Sequence, residues 1–175
     1  MNNKAAQQAE KALSSEIARR KLPAALIPIL LAQLAVETAG FTSKLSAKYN
    51  NLSGIIWAGQ KGAFDSMVQK PKGEAKGTYA AYNTVQEWAS DYIDTLQRNF
   101  PQALNATNFS QFTAALKNGR GGREYMEATQ DSYLKALRSW VPQLSALFRD
   151  MPFNFTTVVP ALVILFITYF LLNKI

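Results

Sequence analysis

Apolar positions recur at helical spacing over most of this chain, break down in one Gly-rich stretch, and become continuous near the C-terminus. Ala5 to Arg20 is rich in Ala, Gln, Glu, Lys and Leu and predicts a helix, which Lys21-Leu22-Pro23 ends. Pro23 can open a second helix, about Pro23 to Thr38, more apolar than the first and closed at Gly40. This segment is too short for a membrane span and ends in Glu37, so it predicts a buried core helix. From Tyr49 to Tyr82 the pattern changes to Gly, Asn, Lys and aromatic residues with short apolar pairs, predicting a turn and then short strands or an irregular lobe. Thr84-Val85-Gln86-Glu87 has capping-box spacing, and the run to about Asn99 predicts a helix stopped by Pro101, with Val85, Trp88, Ala89, Tyr92, Ile93 and Leu96 on its apolar face. A short helix is predicted over Phe109 to Lys117, ending at Asn118-Gly119 before a Gly-rich turn. Thr129 to Trp140 predicts another, with Pro142 interrupting its continuation through Leu147.

The end of the chain obeys a different rule. No charge occurs between Asp150 and Lys174, and Phe153 to Leu172 supplies an apolar run that would span roughly 30 Å as a helix, enough for a hydrocarbon core. No polar face opposes it, which predicts a transmembrane helix rather than a core helix. The expected organisation is an N-terminal helix over 1–22, a domain over 23–141, a linker over 142–152 and a membrane anchor over 153–175.

With 175 residues there is room for one compact domain and an appendage, and no separate cofactor fold is expected. The chain has no Cys and no His, which removes thiolate nucleophiles, disulfides, imidazole bases and nearly every zinc or redox-metal site, so neither metal nor cofactor is expected. Chemistry falls to carboxylates, Tyr, Lys or Ser. A formal charge of +7 predicts attraction to polyanions, whether nucleic acid, anionic lipid or a bacterial wall. Lys44, Lys48, Lys61, Lys70, Lys72 and Lys76 outnumber Asp65 and Glu74 in one stretch, but no basic helix or aromatic-basic sheet motif emerges, and nucleic acid is not expected as a partner.

One residue resists a structural explanation. At 100° per residue Leu26, Leu30, Leu34 and Glu37 fall within about 80° of one another, so the only acid of the second helix projects from its apolar face. Its neighbours four residues away, Gln33 and Phe41, are not cations, and no local ion pair lowers its pKa. Partial burial would raise that pKa, which is what a glycosidase acid requires to protonate a leaving sugar oxygen. The alternative is a Glu in a last helical turn that simply reaches solvent.

The segment LLAQLAVETAGF, followed by YNNLSGIIW, resembles the lysozyme-like glucosaminidases of glycoside hydrolase family 73, in which a catalytic Glu at a helix end precedes an Asn-Leu-x-Gly-Ile stretch. TYAAYNTVQEWASDYIDTLQ is similar to that family's aromatic strand leading into a helix with an Asp-Tyr pair, and GGREYMEATQDSYLKAL to its Tyr-containing closing loop and final helix. The resemblance spans about Ile29 to Trp140 and implies a mainly α, α+β lysozyme-like fold with a small irregular or hairpin lobe. It implies Glu37 as general acid, Asn51, Gly54 and Ile55 as the turn on the cleft floor, and Tyr79, Tyr82 and Tyr125 near the sugar. Trp57 is added from its location alone. The closing loop is longer than the family's usual Tyr-x-Thr-Asp-x-x-Tyr, leaving Tyr125 and Tyr133 both open as its functional Tyr. For a second carboxylate the lobe offers Asp65 and Glu74, of which Asp65 is the choice. The substrate's own acetamido group, or its hydroxymethyl oxygen closing an anhydro ring, could serve instead, and the scissile bond stays open.

These readings imply a membrane-anchored hydrolase of the peptidoglycan glycan backbone, held to a bilayer through 153–172. An inactive wall-binding or structural protein on the same fold is the alternative. Lys135, Arg138 and Arg149 ahead of the span outnumber Lys174 behind it, which would keep the domain cytoplasmic, away from its substrate. Met1 to Lys21 lacks the basic-then-apolar pattern of a secretory signal. Together these lead to the expectation of a phage product, in a virion's internal membrane or released into the host envelope at lysis.

Overall fold

The computed structural model describes residues 1–69 and 77–151; the expected membrane span and the tip of the Gly-rich lobe, with Lys70, Lys72, Gly73, Glu74 and Lys76, lie outside them. Helices α1 (Asn3–Arg19), α2 (Leu26–Glu37) and α3 (Lys44–Tyr49) precede a hairpin of β1 (Phe64–Gln69) and β2 (Thr78–Ala81). Then come α4 (Val85–Asn99), a 3₁₀ turn (Pro101–Asn105), α5 (Phe109–Lys117), α6 (Gln130–Ser139) and α7 (Val141–Leu147). Among the described residues no helix is long and apolar enough to cross a membrane.

The caps explain most helix boundaries. Asn2 accepts from Ala5 N at α1, and Asn108 from Gln111 N at α5. The capping box is formed: Thr84 Oγ1 accepts from Glu87 N at 3.1 Å while Glu87 Oε2 accepts from Thr84 N at 3.1 Å. Pro142 sits in the first turn of α7, so it opens that helix as well as closing α6.

Helix α2 occupies the centre. Every residue from Leu26 to Ala35 is buried, against α1, α6 and α7, with Tyr92 of α4 bonded to Gln33. It has no apolar face as such, because it is enclosed on all sides, and Glu37 is exposed where the enclosure ends. Helix α1 buries Ala6, Ala9, Leu13 and Ile17 in the same core, and α7 adds Leu144 and Phe148 from the stretch expected as a linker. Burying a Leu or Phe side chain is worth about 1.5–3 kcal/mol, so both terminal helices belong to the fold's stability.

The second lobe is small. β1 and β2 pair antiparallel with a bulge between Asp65 and Gln69, and Met67, at φ 58°, points outward. The segment before β1 pairs with the other side of β2: Trp57 N donates to Thr78 O and Ala80 N to Ile55 O, each at 2.8 Å.

After α2 the chain turns through three consecutive residues in the left-handed region, Ala39 (φ 50°), Gly40 (φ 74°) and Phe41 (φ 66°). Thr38 holds this turn by donating to Leu34 O at 2.6 Å and accepting from Phe41 N at 2.8 Å. A Cβ on Gly40 would lie 2.6 Å from the Trp140 ring, so position 40 requires glycine for space as well as for φ.

Candidate active site

Glu37 stands at the last position of α2, beside an open cleft of about 970 Å³ between the helical body and the hairpin lobe. Asn51, Gly54 and Ile55 line one wall, with Tyr79 from β2; Tyr92, Arg98 and Phe100 from the α4 side, and Arg123 and Tyr125, line the other. Among the described lining residues Glu37 is the only carboxylate.

The wall opposite Glu37 is rigid because Asn51 uses its whole side chain internally. Its Nδ2 donates to Ile55 O at 2.8 Å and Ala80 O at 2.9 Å, and its Oδ1 accepts from Ile55 N at 3.0 Å. Fully buried, it staples the 51–55 turn to β2. That turn reaches Gly54 at φ 67°, which leaves a bare backbone facing the cleft.

Around Glu37 the electrostatics are set by phenols. Tyr133, from α6, donates its hydroxyl to Glu37 Oε1 at 2.6 Å. Desolvation pushes the Glu37 carboxyl above its ordinary pKa, and the Tyr133 bond offsets part of that rise. No ion pair reaches it among the described residues. Burial first, and then the Glu37 charge, push the phenols of Tyr92, Tyr125 and Tyr133 upward, so all three stay protonated and uncharged near neutral pH. A carboxyl whose pKa is raised, lining an open cleft, can act as a general acid.

The structure separates the other predicted site residues. Asn51, Gly54, Ile55, Tyr79 and Tyr125 line the cleft. Tyr133 is buried beneath it and reaches Glu37 from below. Tyr82 is a core residue outside the lining; its hydroxyl donates to Asp91 Oδ2 at 2.7 Å, and its own pKa rises through burial and then that carboxylate. Trp57 packs partly buried against the core, also outside the lining. Asp65 is not among the residues lining Glu37's cleft, and its Oδ1 accepts from Met67 N at 2.8 Å inside the bulge. Glu74 is outside the described residues.

Sequence reasoning missed four residues here. Tyr92 appears in the pattern as one more apolar-face aromatic of α4, yet it lines the cleft and donates to Gln33 Oε1. Gln33 was visible as the one polar residue within the buried part of α2, four before Glu37. Arg98 and Arg123 sit in segments whose charge gives no hint that they meet at one cleft.

The glucosaminidase family model, described as mannosyl-glycoprotein endo-beta-N-acetylglucosaminidase, matches residues 13–146. No curated protein matches the chain. Among solved structures, the glycoside hydrolase domain of FlgJ from Salmonella typhimurium superposes with a TM-score of 0.58 at 21% identity, over 85% of this chain and 92% of that one. The catalytic domain of the autolysin Auto from Listeria monocytogenes gives 0.52 at 20% identity, over 85% and 84%. An N-acetylmuramoyl-L-alanine amidase structure from Staphylococcus aureus gives 0.54 at 16% identity, over 92% of this chain and 48% of that one. At these identities the structural likeness is one of fold.

Proposed function

The chain belongs to the glucosaminidase family and is a glycoside hydrolase of the N-acetylglucosaminidase type, and from that premise we propose that it cuts the glycan backbone of bacterial peptidoglycan with Glu37 as general acid. The observation that carries this is Glu37 itself: a carboxyl with a raised pKa, without an ion pair among the described residues, bonded by Tyr133 and lining an open cleft of about 970 Å³. In the proposed step Glu37 gives its proton to the bridging oxygen, and the C1–O bond breaks with its electron pair passing to that oxygen. The substrate's acetamido oxygen then closes on C1 as an oxazolinium ion that water opens, or water attacks C1 directly; in either case the water's oxygen ends on C1 and the proton it releases restores the Glu37 carboxyl. The neighbours FlgJ and Auto, described as a glycoside hydrolase domain and an autolysin, favour a wall substrate, as does the basic charge of the chain.

The apolar, uncharged run over 153–172 supports a membrane-anchored form, and with the charge distribution around it a phage product acting from a virion or at lysis. A zymogram tests the activity: the full chain should clear peptidoglycan and Glu37→Gln should not, and equal clearing by both would remove Glu37 from the mechanism. New N-acetylglucosamine reducing ends are the expected product by mass spectrometry. Recovery of the full chain, but not of residues 1–151, in the membrane fraction tests the anchor, and its presence in purified particles tests the virion.

A further inference from the structure

Two cations line the Glu37 cleft, and the proposed proton transfer uses neither. Arg98 lies in the last turn of α4 and Arg123 after the turn that follows α5. The fold leaves both available. Arg98 is mostly exposed; its Nη2 donates to Thr95 Oγ1 at 3.2 Å and stands 3.7 Å from Asp91 Oδ1, beyond hydrogen-bond reach. Asp91 is itself buried and bonded through Oδ2 by Tyr82 and Gln60. A guanidinium carries five N–H donors, so most of those on Arg98 have no partner among the described residues. Arg123 is exposed, and its side chain makes no hydrogen bond or ion pair among the described residues.

The nearby acids do not neutralise this pair. Asp94, one turn before Arg98, is engaged by Arg20, and Glu124, next to Arg123, by Lys117 at 2.7 Å. The backbone under Arg123 is held in place: Gly119 N donates to Arg123 O at 2.9 Å, and a Cβ on Gly119 would lie 2.5 Å from the Phe100 ring, itself part of the cleft wall. Among the described lining residues Glu37 is the only carboxylate, and desolvation biases it toward its neutral form, so the cleft presents two guanidinium groups and little negative charge. Sugar hydroxyls and acetamido groups are uncharged and give these cations nothing to pair with. A carboxylate does, because it matches the guanidinium fork in shape and charge. In a peptidoglycan strand every second sugar carries a lactyl ether, which ends in a carboxylate or continues into a stem peptide bearing carboxylates. We propose that Arg98 and Arg123 form a subsite of the cleft for a carboxylate carried by the muramyl residue, which makes the substrate an anionic glycan rather than a neutral one. The inference rests on the proposed peptidoglycan substrate and deepens that reading. The net positive charge of the chain attracts any polyanion at long range, whereas this pair acts at one place on the sugar chain.

The test is calorimetric binding at pH 7 to the full chain carrying Glu37→Gln, so that the glycan stays uncut. Three soluble tetrasaccharides of alternating N-acetylglucosamine and N-acetylmuramic acid serve as probes: one with free lactyl carboxylates, one with each lactyl group capped as an uncharged methylamide, and one with stem peptides. At least one of the two charged probes should bind about tenfold more tightly than the methylamide, the worth of a hydrogen bond to a charged group. Preference for the free lactyl form locates the recognised carboxylate on the ether, and preference for the peptide form alone locates it on the stem. Adding Arg98→Gln and Arg123→Gln together should abolish the preference and leave methylamide binding unchanged. Lys11→Gln, which removes a charge from an exposed position outside the cleft lining, should keep it. Equal binding of all three probes, or a preference that survives in the double arginine variant, would overturn the inference. If the double variant does not fold, Arg123→Gln alone decides, and an undiminished preference there rejects the subsite. Equal binding leaves the proposed function intact, whereas failure of all three probes to bind removes that function and the subsite together.

Discussion

Two glutamates, Glu16 and Glu37, sit on adjacent helices and receive opposite treatment. Glu16 lies in the seam between α1 and α4, almost wholly buried, where Arg19 binds it at 2.6 Å and Arg20 at 3.0 Å, while Arg20 also reaches Asp94 at 2.5 Å and Gln86 adds a bond at 3.0 Å. Burial works to raise its pKa, but these partners outweigh it and hold the carboxyl below its ordinary value. Glu37 is more open to solvent and has, among the described residues, one neutral hydrogen-bond partner, and desolvation prevails. Exposure alone would rank them the other way, so the supply of cations, not depth, separates a structural carboxylate from a chemical one.

The comparison breaks most visibly at Glu37→Gln, which should lower kcat by roughly 10²–10⁴-fold, the usual contribution of a positioned acid. The same variant should be at least as stable as the wild type at pH 7. A carboxyl whose pKa is raised by folding binds its proton more tightly in the folded state, so the stability it contributes is present below the unfolded pKa and is lost as pH rises through the folded one. Thermal melts should show the variant's advantage at neutral pH and its disappearance near pH 4. A melting temperature that falls at pH 7 would mean that Glu37 serves the fold.

Arg20→Met is the mirror experiment. It strips Glu16 of one cation and Asp94 of its partner, and should cost about 2 kcal/mol in urea unfolding, below the range for fully buried pairs because Asp94 is about half exposed. Turnover of the folded fraction should be unchanged. A kcat loss comparable to that of Glu37→Gln would erase the distinction between seam and cleft.

Acid titration of stability sharpens the contrast further. Because folding lowers the Glu16 pKa, its contribution is present above the unfolded value and is lost as pH falls through the folded one. The wild type should lose stability on acidification below about pH 4.5, and Arg20→Met should lose less over the same window. Parallel curves would mean that the seam pairing contributes nothing to the pH dependence.

The smallest effect is expected from Asp65→Asn. Its carboxylate is engaged with the bulge and lies outside the cleft lining, so activity should stay within about twofold, as for most substitutions away from a site. A loss of a hundredfold would bring Asp65 into the mechanism.

Much of the helical frame was legible because its determinants are local. The α5 limits, Phe109 to Lys117, and the Thr84–Glu87 capping box follow from neighbouring residues. Helix α3 escaped because six residues are too few to display a period, and only Ser46 of them is buried. The all-round enclosure of α2 was hidden for another reason: a face calculation assumes an outside, and α2 has almost none. At the site, Glu37 was legible as an anomaly, and the 51–55 turn through a resemblance. Tyr82 and Tyr79 are three residues apart, yet one is core and the other cleft, since the strand between them decides which way each points. Gln33 could be seen as polar but not as bonded, because Tyr92 reaches it from a helix distant in sequence.

The Tyr133–Glu37 bond joins residues 96 positions apart. During synthesis α2 therefore leaves the ribosome long before the phenol that completes its acid, and Trp140, which closes over Gly40, follows later still. Domains fold as units once their distant contacts can form. The nascent chain thus carries Glu37 through most of its translation with the neighbourhood that tunes it unbuilt, and a product truncated before α6 would retain the acidic residue without its working environment.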